Sequence, residues 1–372
     1  MNLGTTTTAH GLVIGKFYPP HAGHDLLIRA AASQCDRVTV VVMAASHESI
    51  PLATRVRWMR ELHAAMPHVV VTGVVDDVPV DYGNDAIWRA HVALMREALA
   101  NVDAPSVTAV FTSEPYGEEL ARHFDATPVT LDTARLLAPI SATRFRDDPR
   151  AHWDFIAAPV RADLAWRIVV VGAESTGTTT LSRALAQSLR ERGGALGLTR
   201  WVPEYGRELS AHKLAEAIAH AQLHGLPRPH AEDLAWPSAD FVHIARTQNA
   251  LAREQAAIGG PVVVCDTDAF ATAIWHERYV GGRHAEVEAI AEEDRGKLYL
   301  VTHHDGVPFE DDGLRDGESI REWMTGRFIE RLDETQRRYV TLVGDRNTRL
   351  TVALHAVDAL LAEGWRFTPP LG

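Results

Sequence analysis

The sequence predicts an α/β protein built as two tandem domains, each a doubly wound parallel sheet. Three observations carry that expectation. Apolar, β-branched runs alternate with segments of helical spacing from residue 11 to about 146, and the same alternation restarts near residue 167. Between the two series, Asp147-Asp148-Pro149, Trp153, Pro159 and scattered charges break the pattern. That stretch reads as a helical connector with a boundary near 163, giving domains 1–163 and 164–372. Each series also opens on a short strand that enters a glycine-containing turn and then a helix. Parallel sheets present ligand sites in this frame, at the carboxyl ends of their strands.

Composition narrows the class. A chain of 372 residues is long for one domain and natural for two. A hydrophobic content of 46% with 23% charged residues is that of a globular protein with sizeable cores. The formal charge of −12 argues against a nucleic-acid binder, whose footprint would be basic. No apolar run reaches about 18 residues, so no membrane span is expected. The first ten residues lack the basic flank and apolar core of a signal peptide. Cys35 and Cys265 fall in apolar or helix-edge settings without metal spacing, as reduced packing residues of a cytoplasmic protein do. A homo-oligomer is compatible with all of this, and the sequence leaves the oligomeric state open.

In the first series, residues 11–14 form the opening strand and residues 25–32 a helix. The crossover between them is Gly15-Lys16-Phe17-Tyr18-Pro19-Pro20-His21-Ala22-Gly23-His24. A helix N-terminus offers unpaired N–H groups and partial positive charge to a phosphate. Gly23 lets the backbone approach closely, and Lys16, His21 and His24 can donate to phosphate oxygens. Lys16 is one of only three lysines, with Lys213 and Lys297. Strands follow at 38–43, 69–75 and 107–112, and helices at 54–65, 87–99 and 117–123.

The decapeptide resembles the signature of nucleotidyltransferases bearing an H-x-G-H motif, which attack the α-phosphate of a nucleoside triphosphate and expel pyrophosphate. Their second signature, S-x-T-x-x-R, is matched by Ser141-Ala142-Thr143-Arg144-Phe145-Arg146. The resemblance implies a Rossmann-like nucleotidyltransferase fold with His21, His24, Lys16 and Arg146 as catalytic groups. Gly15, Phe17, Gly23, Ser141 and Thr143 would then contact ATP or the departing pyrophosphate.

In the second series, strands are expected at 167–171, 261–265, 298–302 and 339–343, and helices at 179–190, 241–257, 319–334 and 348–363. Residues 223–239, rich in proline and tryptophan, read as a loop or lid. The opening strand runs into Gly172-Ala173-Glu174-Ser175-Thr176-Gly177-Thr178-Thr179-Thr180, the frame of a P-loop whose backbone N–H groups cradle phosphates. One element departs: Thr178 stands where the motif has lysine. Thr179 keeps the hydroxyl that would bind Mg2+, and Asp266 and Asp268 supply carboxylates suited to a metal or a hydroxyl nucleophile.

The order of motifs resembles the NadR-type bifunctional proteins, which join a nicotinamide-mononucleotide adenylyltransferase to a ribosylnicotinamide kinase. Further matching stretches are Arg55-Val56-Arg57-Trp58-Met59, Ile87-Trp88, Thr112-Ser113-Glu114 and His152-Trp153. In the second half they are Glu204-Tyr205-Gly206-Arg207-Glu208 and Asp312-Gly313-Leu314-Arg315. The resemblance implies transfer of AMP from ATP to nicotinamide mononucleotide, giving NAD and pyrophosphate, with a P-loop kinase-like second domain. It implies that Trp88 stacks on the nicotinamide ring and that Arg55 or Arg57 binds the mononucleotide. Glu204 and Arg207 would lie near the second nucleoside or its phosphates, and Arg315 would be a lid arginine. The match starts near residue 11 and leaves no counterpart to the DNA-binding helix-turn-helix of some relatives, so repressor activity is not expected. Two alternatives stay open: adenylyl transfer to another phosphorylated acceptor, and a nucleotide sensor without kinase turnover.

Overall fold

The computed structural model describes residues 8–81, 83–310 and 318–371. The chain divides into two compact units. One takes in the residues up to Val160 and again those from Trp365 onward; the other is Arg161–Gly364.

In the first unit, β1 (Thr8–Gly15), α1 (Ala22–Ala32), β2 (Cys35–Ala44), α2 (Leu52–Leu62) and β3 (Val69–Val75) come first. Then follow α3 (Asp85–Ala100), β4 (Ala109–Thr112), α4 (Gly117–Phe124), β5 (Thr127–Thr130) and α5 (Ala142–Asp147). The sheet is parallel throughout, in the order β3-β2-β1-β4-β5. Valines fill its centre because both faces are buried, and successive side chains alternate between two cores. Val13, Val40 and Val42 pack with Leu27, Ile28 and Met59 on one face. Leu12 and Val41 pack with Val92, Met95 and Leu120 on the other. Strand order reverses between β1 and β4, so the crossover after Gly15 opens at the topological switch point.

The short helix α6 (Ala158–Leu164) carries the boundary between the units. The second unit contains β6 (Trp166–Gly172), α7 (Thr178–Arg190), β7 (Arg200–Val202), α8 (Tyr205–His224), α9 (Ser238–Ile258) and β8 (Val262–Asp266). It continues with α10 (Ala269–Val280), α11 (Ala285–Glu293), β9 (Leu298–Thr302), α12 (Arg321–Glu334), β10 (Tyr339–Leu342) and α13 (Arg346–Glu363). Its sheet is also parallel, ordered β10-β9-β6-β8-β7, with the P-loop strand β6 at the centre. No helix among the described residues is long and apolar enough to cross a membrane.

The structure departs from the sequence expectation in three respects. β5 and β7 are short edge strands, and β5 contains Pro128, which an edge tolerates because it owes no outer hydrogen bond. α8 runs for 20 residues with only Ala221 buried, so no apolar stripe marks it; its alanines, leucines and glutamates favour helix on their own.

The third departure is residues 365–371, expected in the second domain but packed on the first unit. Trp365 meets Trp153 with ring centroids 6.1 Å apart, and Phe367 lies 6.1 Å from Tyr18 and 6.4 Å from Phe145. Tyr18 donates from its hydroxyl to the Thr368 carbonyl at 3.0 Å, and Thr368 N donates to Ser49 Oγ at 3.1 Å. Three aromatic pairs at roughly 0.5–1.5 kcal/mol each amount to about 3 kcal/mol. A fragment of residues 1–163 is therefore expected to melt at a higher temperature when a peptide of residues 365–372 is added. An unchanged melting curve at saturating peptide would contradict this packing.

Candidate functional site

A cavity of about 450 Å³ opens beyond β1 and β4, lined by the β1–α1 crossover, α3, the loop before α5, and α5 itself. The crossover is held by its own histidines. His21 caps α1, its Nδ1 accepting from Gly23 N at 3.2 Å, while His24 Nδ1 accepts from His21 N at 3.2 Å. The two rings stack with centroids 3.7 Å apart. Because both Nδ1 atoms accept backbone N–H groups, the remaining proton of each neutral ring sits on Nε2. Burial, aided by the positive charge of Arg135, pushes His21 down to about 4 and His24 well below 6.5. At neutral pH the pair is therefore two uncharged N–H donors in the cavity wall.

The glycines keep this geometry close. A Cβ on Gly23 would lie 3.2 Å from the His21 ring, and one on Gly15 would lie 3.2 Å from the Phe17 ring. Phe17 adopts a left-handed φ of 46° and sets its ring edge-on to His24 at 4.8 Å.

Cations surround the donors. Arg146 donates to the Tyr18 carbonyl at 2.6 Å and to Thr143 Oγ1 at 3.1 Å, and all three residues line the cavity. Lys16 lies 3.7 Å from Glu48, donates to the Leu371 carbonyl and also lines the cavity; burial lowers its pKa. Ser141 is not in the lining: it caps α5, accepting from Arg144 N at 3.2 Å.

The two arginines expected at the mononucleotide are elsewhere. Arg55 is fully buried outside the cavity lining, paired with Glu48 at 2.7 Å and donating to the Ile50 and Lys16 carbonyls. It braces the Lys16 turn from within the protein. Arg57 pairs with Glu61 at 3.2 Å, one helical turn along α2, and does not line the cavity either. Trp88 is both wall and core: it lines the cavity, is 7% exposed, and stacks on His123 at 5.5 Å.

Groups that the sequence did not single out complete the wall. Arg135 donates to Glu114 at 2.7 Å and to the Ile140 carbonyl at 3.0 Å. Its turn is held by the Asp132 carboxylate, which accepts from the Leu136, Leu137 and Ala138 amides. Asp76 bonds His91 Nδ1 at 2.8 Å and raises its pKa. In an arginine-rich sequence no local signal separates Arg135 from the rest.

The second unit has a cavity of about 530 Å³ around Gly172–Thr180, reached also by Glu204, Arg207, Asp266, Arg346 and Arg349. A Cβ on Gly172 would lie 2.2 Å from Thr302 Oγ1, and Gly177 takes a left-handed φ of 86°, so both positions require glycine. Thr176 Oγ1 donates to the Ala173 carbonyl at 2.6 Å and meets Thr302 Oγ1 at 2.7 Å. Buried Arg349 donates to the Thr176 carbonyl at 2.9 Å and the His303 carbonyl at 2.7 Å, fixing the loop from behind. Glu174, Ser175 and Thr180 also line the cavity, and Ser175 Oγ bonds the Glu310 carbonyl at 2.7 Å. Trp236, from the stretch expected to be a lid, reaches the same wall. Arg315 lies outside the described residues.

Thr178 and Thr179 begin α7 beside Asp266 at the end of β8, and their hydroxyls favour its ionised form. A threonine hydroxyl beside a carboxylate is an oxygen donor set that suits Mg2+. Asp268 is not part of it. Thr267 turns left-handed at φ 73°, and Asp268 instead caps α10, accepting from Ala271 N at 3.0 Å and the Tyr299 hydroxyl at 2.6 Å.

Burial raises Asp266 to about 6 from 3.8, against the pull of the two hydroxyls, Arg183 and Arg207. A folded pKa above the unfolded value means that ionisation opposes folding. The penalty is absent below about pH 4, grows between the two pKa values and is complete above about pH 6, where it is up to about 3 kcal/mol. Asp266→Asn is therefore expected to melt higher than wild type at pH 8 and about equally at pH 4, while binding Mg2+–ATP more weakly. A variant less stable at pH 8 would mean that the carboxylate's attraction to its hydroxyl and arginine neighbours outweighs its burial.

Residues 167–349 match a family model described as an AAA domain. Over 372 aligned positions the chain is 24% identical to the trifunctional NAD biosynthesis/regulator protein NadR of Escherichia coli strain K12, covering 95% of this chain and 83% of that protein. The NadR of Salmonella typhimurium strain LT2 is likewise 24% identical, over 371 positions and the same shares. A crystal structure of NadR protein in complex with NR matches with a TM-score of 0.68 at 23% identity, covering 98% of this chain and 99% of that one. One of NadR in complex with NAD and AMP-PNP matches at 0.66 and 21%, covering 97% and 98%. These similarities extend over both units and place the chain's fold with the NadR-type proteins.

Proposed function

We propose that this NadR-type chain acts in NAD biosynthesis, its first site transferring AMP from ATP to nicotinamide mononucleotide, with NAD and pyrophosphate as products. The observation that carries the reading is the stacked His21–His24 pair, with Lys16, Arg146 and Arg135 around one cavity at the switch point. In the reaction, a 5′-phosphate oxygen of the mononucleotide attacks the α-phosphorus in line and the bond to pyrophosphate breaks. No protein nucleophile is required; positioning and charge stabilisation carry the rate. The neutral imidazole N–H groups donate to the reacting phosphate, and Arg146 and Thr143 hold the departing pyrophosphate. Arg55 acts indirectly, by bracing the turn that presents Lys16. Magnesium bound with the triphosphate neutralises part of its charge. The NAD and AMP-PNP named in one NadR structure, and the NR in the other, support nucleotide and nucleoside ligands of this class.

The second site binds ATP through the Gly172–Thr180 backbone, with Thr179 and Asp266 placed to hold Mg2+. Ribosylnicotinamide is its proposed acceptor. Thr178 offers a neutral hydrogen bond where a P-loop lysine offers a charge, so phosphoryl transfer is slow and nucleotide binding is retained. This favours a second reading for that unit alone, a nucleotide sensor. The test is product formation by the purified chain from ATP with a panel of mononucleotides, and separately with ribosylnicotinamide. NAD made from nicotinamide mononucleotide in preference to other acceptors supports the first assignment. Another preferred acceptor, or no transfer, overturns it.

A further inference from the structure

We propose that His303, His304 and Asp305, immediately after β9, bind one divalent transition-metal ion of the zinc class, separately from any Mg2+ at Thr179 and Asp266. The Asp305 carboxylate lies between the two imidazoles, Oδ2 3.2 Å from His303 Nδ1 and Oδ1 3.3 Å from His304 Nε2. One donor atom from each residue falls within 4.8 Å of the others. Tetrahedral zinc with bonds of about 2.0–2.1 Å spaces neighbouring donor atoms by roughly 3.3 Å. The rings are already parallel, with centroids 4.7 Å apart and planes at 19°.

The hydrogen bonds around the cluster point the same way. His304 Nδ1 lies 3.0 Å from Thr325 Oγ1 on α12, an outer contact that holds the ring and can accept a hydrogen bond from Nδ1. With the proton on Nδ1, the Nε2 lone pair faces a carboxylate oxygen. His303 Nδ1 accepts from Asp305 N at 3.2 Å, a bond that an ion on Nδ1 would replace. Two imidazoles and one carboxylate favour Zn2+, Co2+ or Ni2+ over the hard cations Mg2+ and Ca2+.

The site has a consequence for its surroundings. The loop that follows carries Gly306, Val307 and Glu310 into the wall of the second cavity. Its backbone is tied to the buried arginines, the His303 carbonyl to Arg349 and the His304 carbonyl to Arg321. An ion here would pin that loop between β9 and α12.

The experiment is a Co2+ titration of the metal-free full-length chain, read by visible d–d absorption, followed by displacement with Zn2+. One saturable, zinc-displaceable equivalent is expected. Asp305→Asn should remove it, and because the Asp305 side chain is 68% exposed the fold is not at risk. His304→Ala should remove it as well, and Thr325→Val should weaken zinc binding by about 10–100-fold by freeing the His304 ring. His220→Ala, on α8, should leave the equivalent in place. Absence of a saturable signal would overturn the proposal, because the contacts would then be satisfied by protons. So would a signal unchanged by Asp305→Asn, which would place the ion on other histidines.

Discussion

His24→Ala is expected to lower the rate of NAD formation by roughly 10²–10³, the usual cost of losing one donor aimed at developing phosphate charge. The fold should survive. The ring's hydrogen bond to the backbone is a single capping bond from His21 N, worth about 1 kcal/mol, beside its stacking on His21 and its edge contact with Phe17. The protonation states add a second expectation. Because burial holds His21 near 4 and His24 well below 6.5, neither ring should produce a kinetic inflection near pH 6.5. Activity dependent on His21 should instead change as pH falls toward about 4, where that neutral donor becomes a cation beside the His24 ring. Comparing pH–rate profiles of wild type and His24→Ala, alongside their melting curves, tests both statements. A folded His24→Ala protein with near-normal adenylyl transfer would remove the H-x-G-H pair from the mechanism.

Thr178→Lys is expected to raise phosphorylation of ribosylnicotinamide by about 10–100-fold, the rate equivalent of a charge-assisted hydrogen bond of roughly 1.5–3 kcal/mol. Thr178 is the first residue of α7 and lines the cavity, so a longer side chain enters the site and not the core. The added ammonium would also favour the ionised form of Asp266, whose burial now raises its pKa to about 6. Metal binding in the variant should therefore persist to lower pH than in wild type. Measuring ATP binding and kinase turnover for both proteins distinguishes weak chemistry from weak binding. Brisk wild-type turnover that the lysine does not improve would mean that another cation, with Arg207 and Arg346 already at the cavity wall, has taken over the role.

Of the first site, the crossover was legible from the sequence because its parts are neighbours: strand, glycine, two histidines three residues apart and the helix they cap. Arg146 and Thr143 were legible as a second local motif and are brought to the same cavity. Arginine roles were not. Arg55 and Arg57 sit two residues apart on α2, yet one is buried against Glu48 and the other pairs on the surface with Glu61. What separates them is which groups other segments bring to each face of the helix.

The same division holds for the chain as a whole. The sequence by itself determined two parallel α/β units, their central strands and both glycine-containing crossovers, since each depends on residues within one turn or one strand. Valine runs buried on both faces and glycines that exclude a Cβ carry that information locally. Only the tertiary structure decided the edge strands β5 and β7, the docking of residues 365–371 on the first unit, and the separation of Asp268 from Asp266. A side chain's charge, partner and access to a cavity are set by atoms distant in sequence, and no spacing rule encodes which of them will arrive.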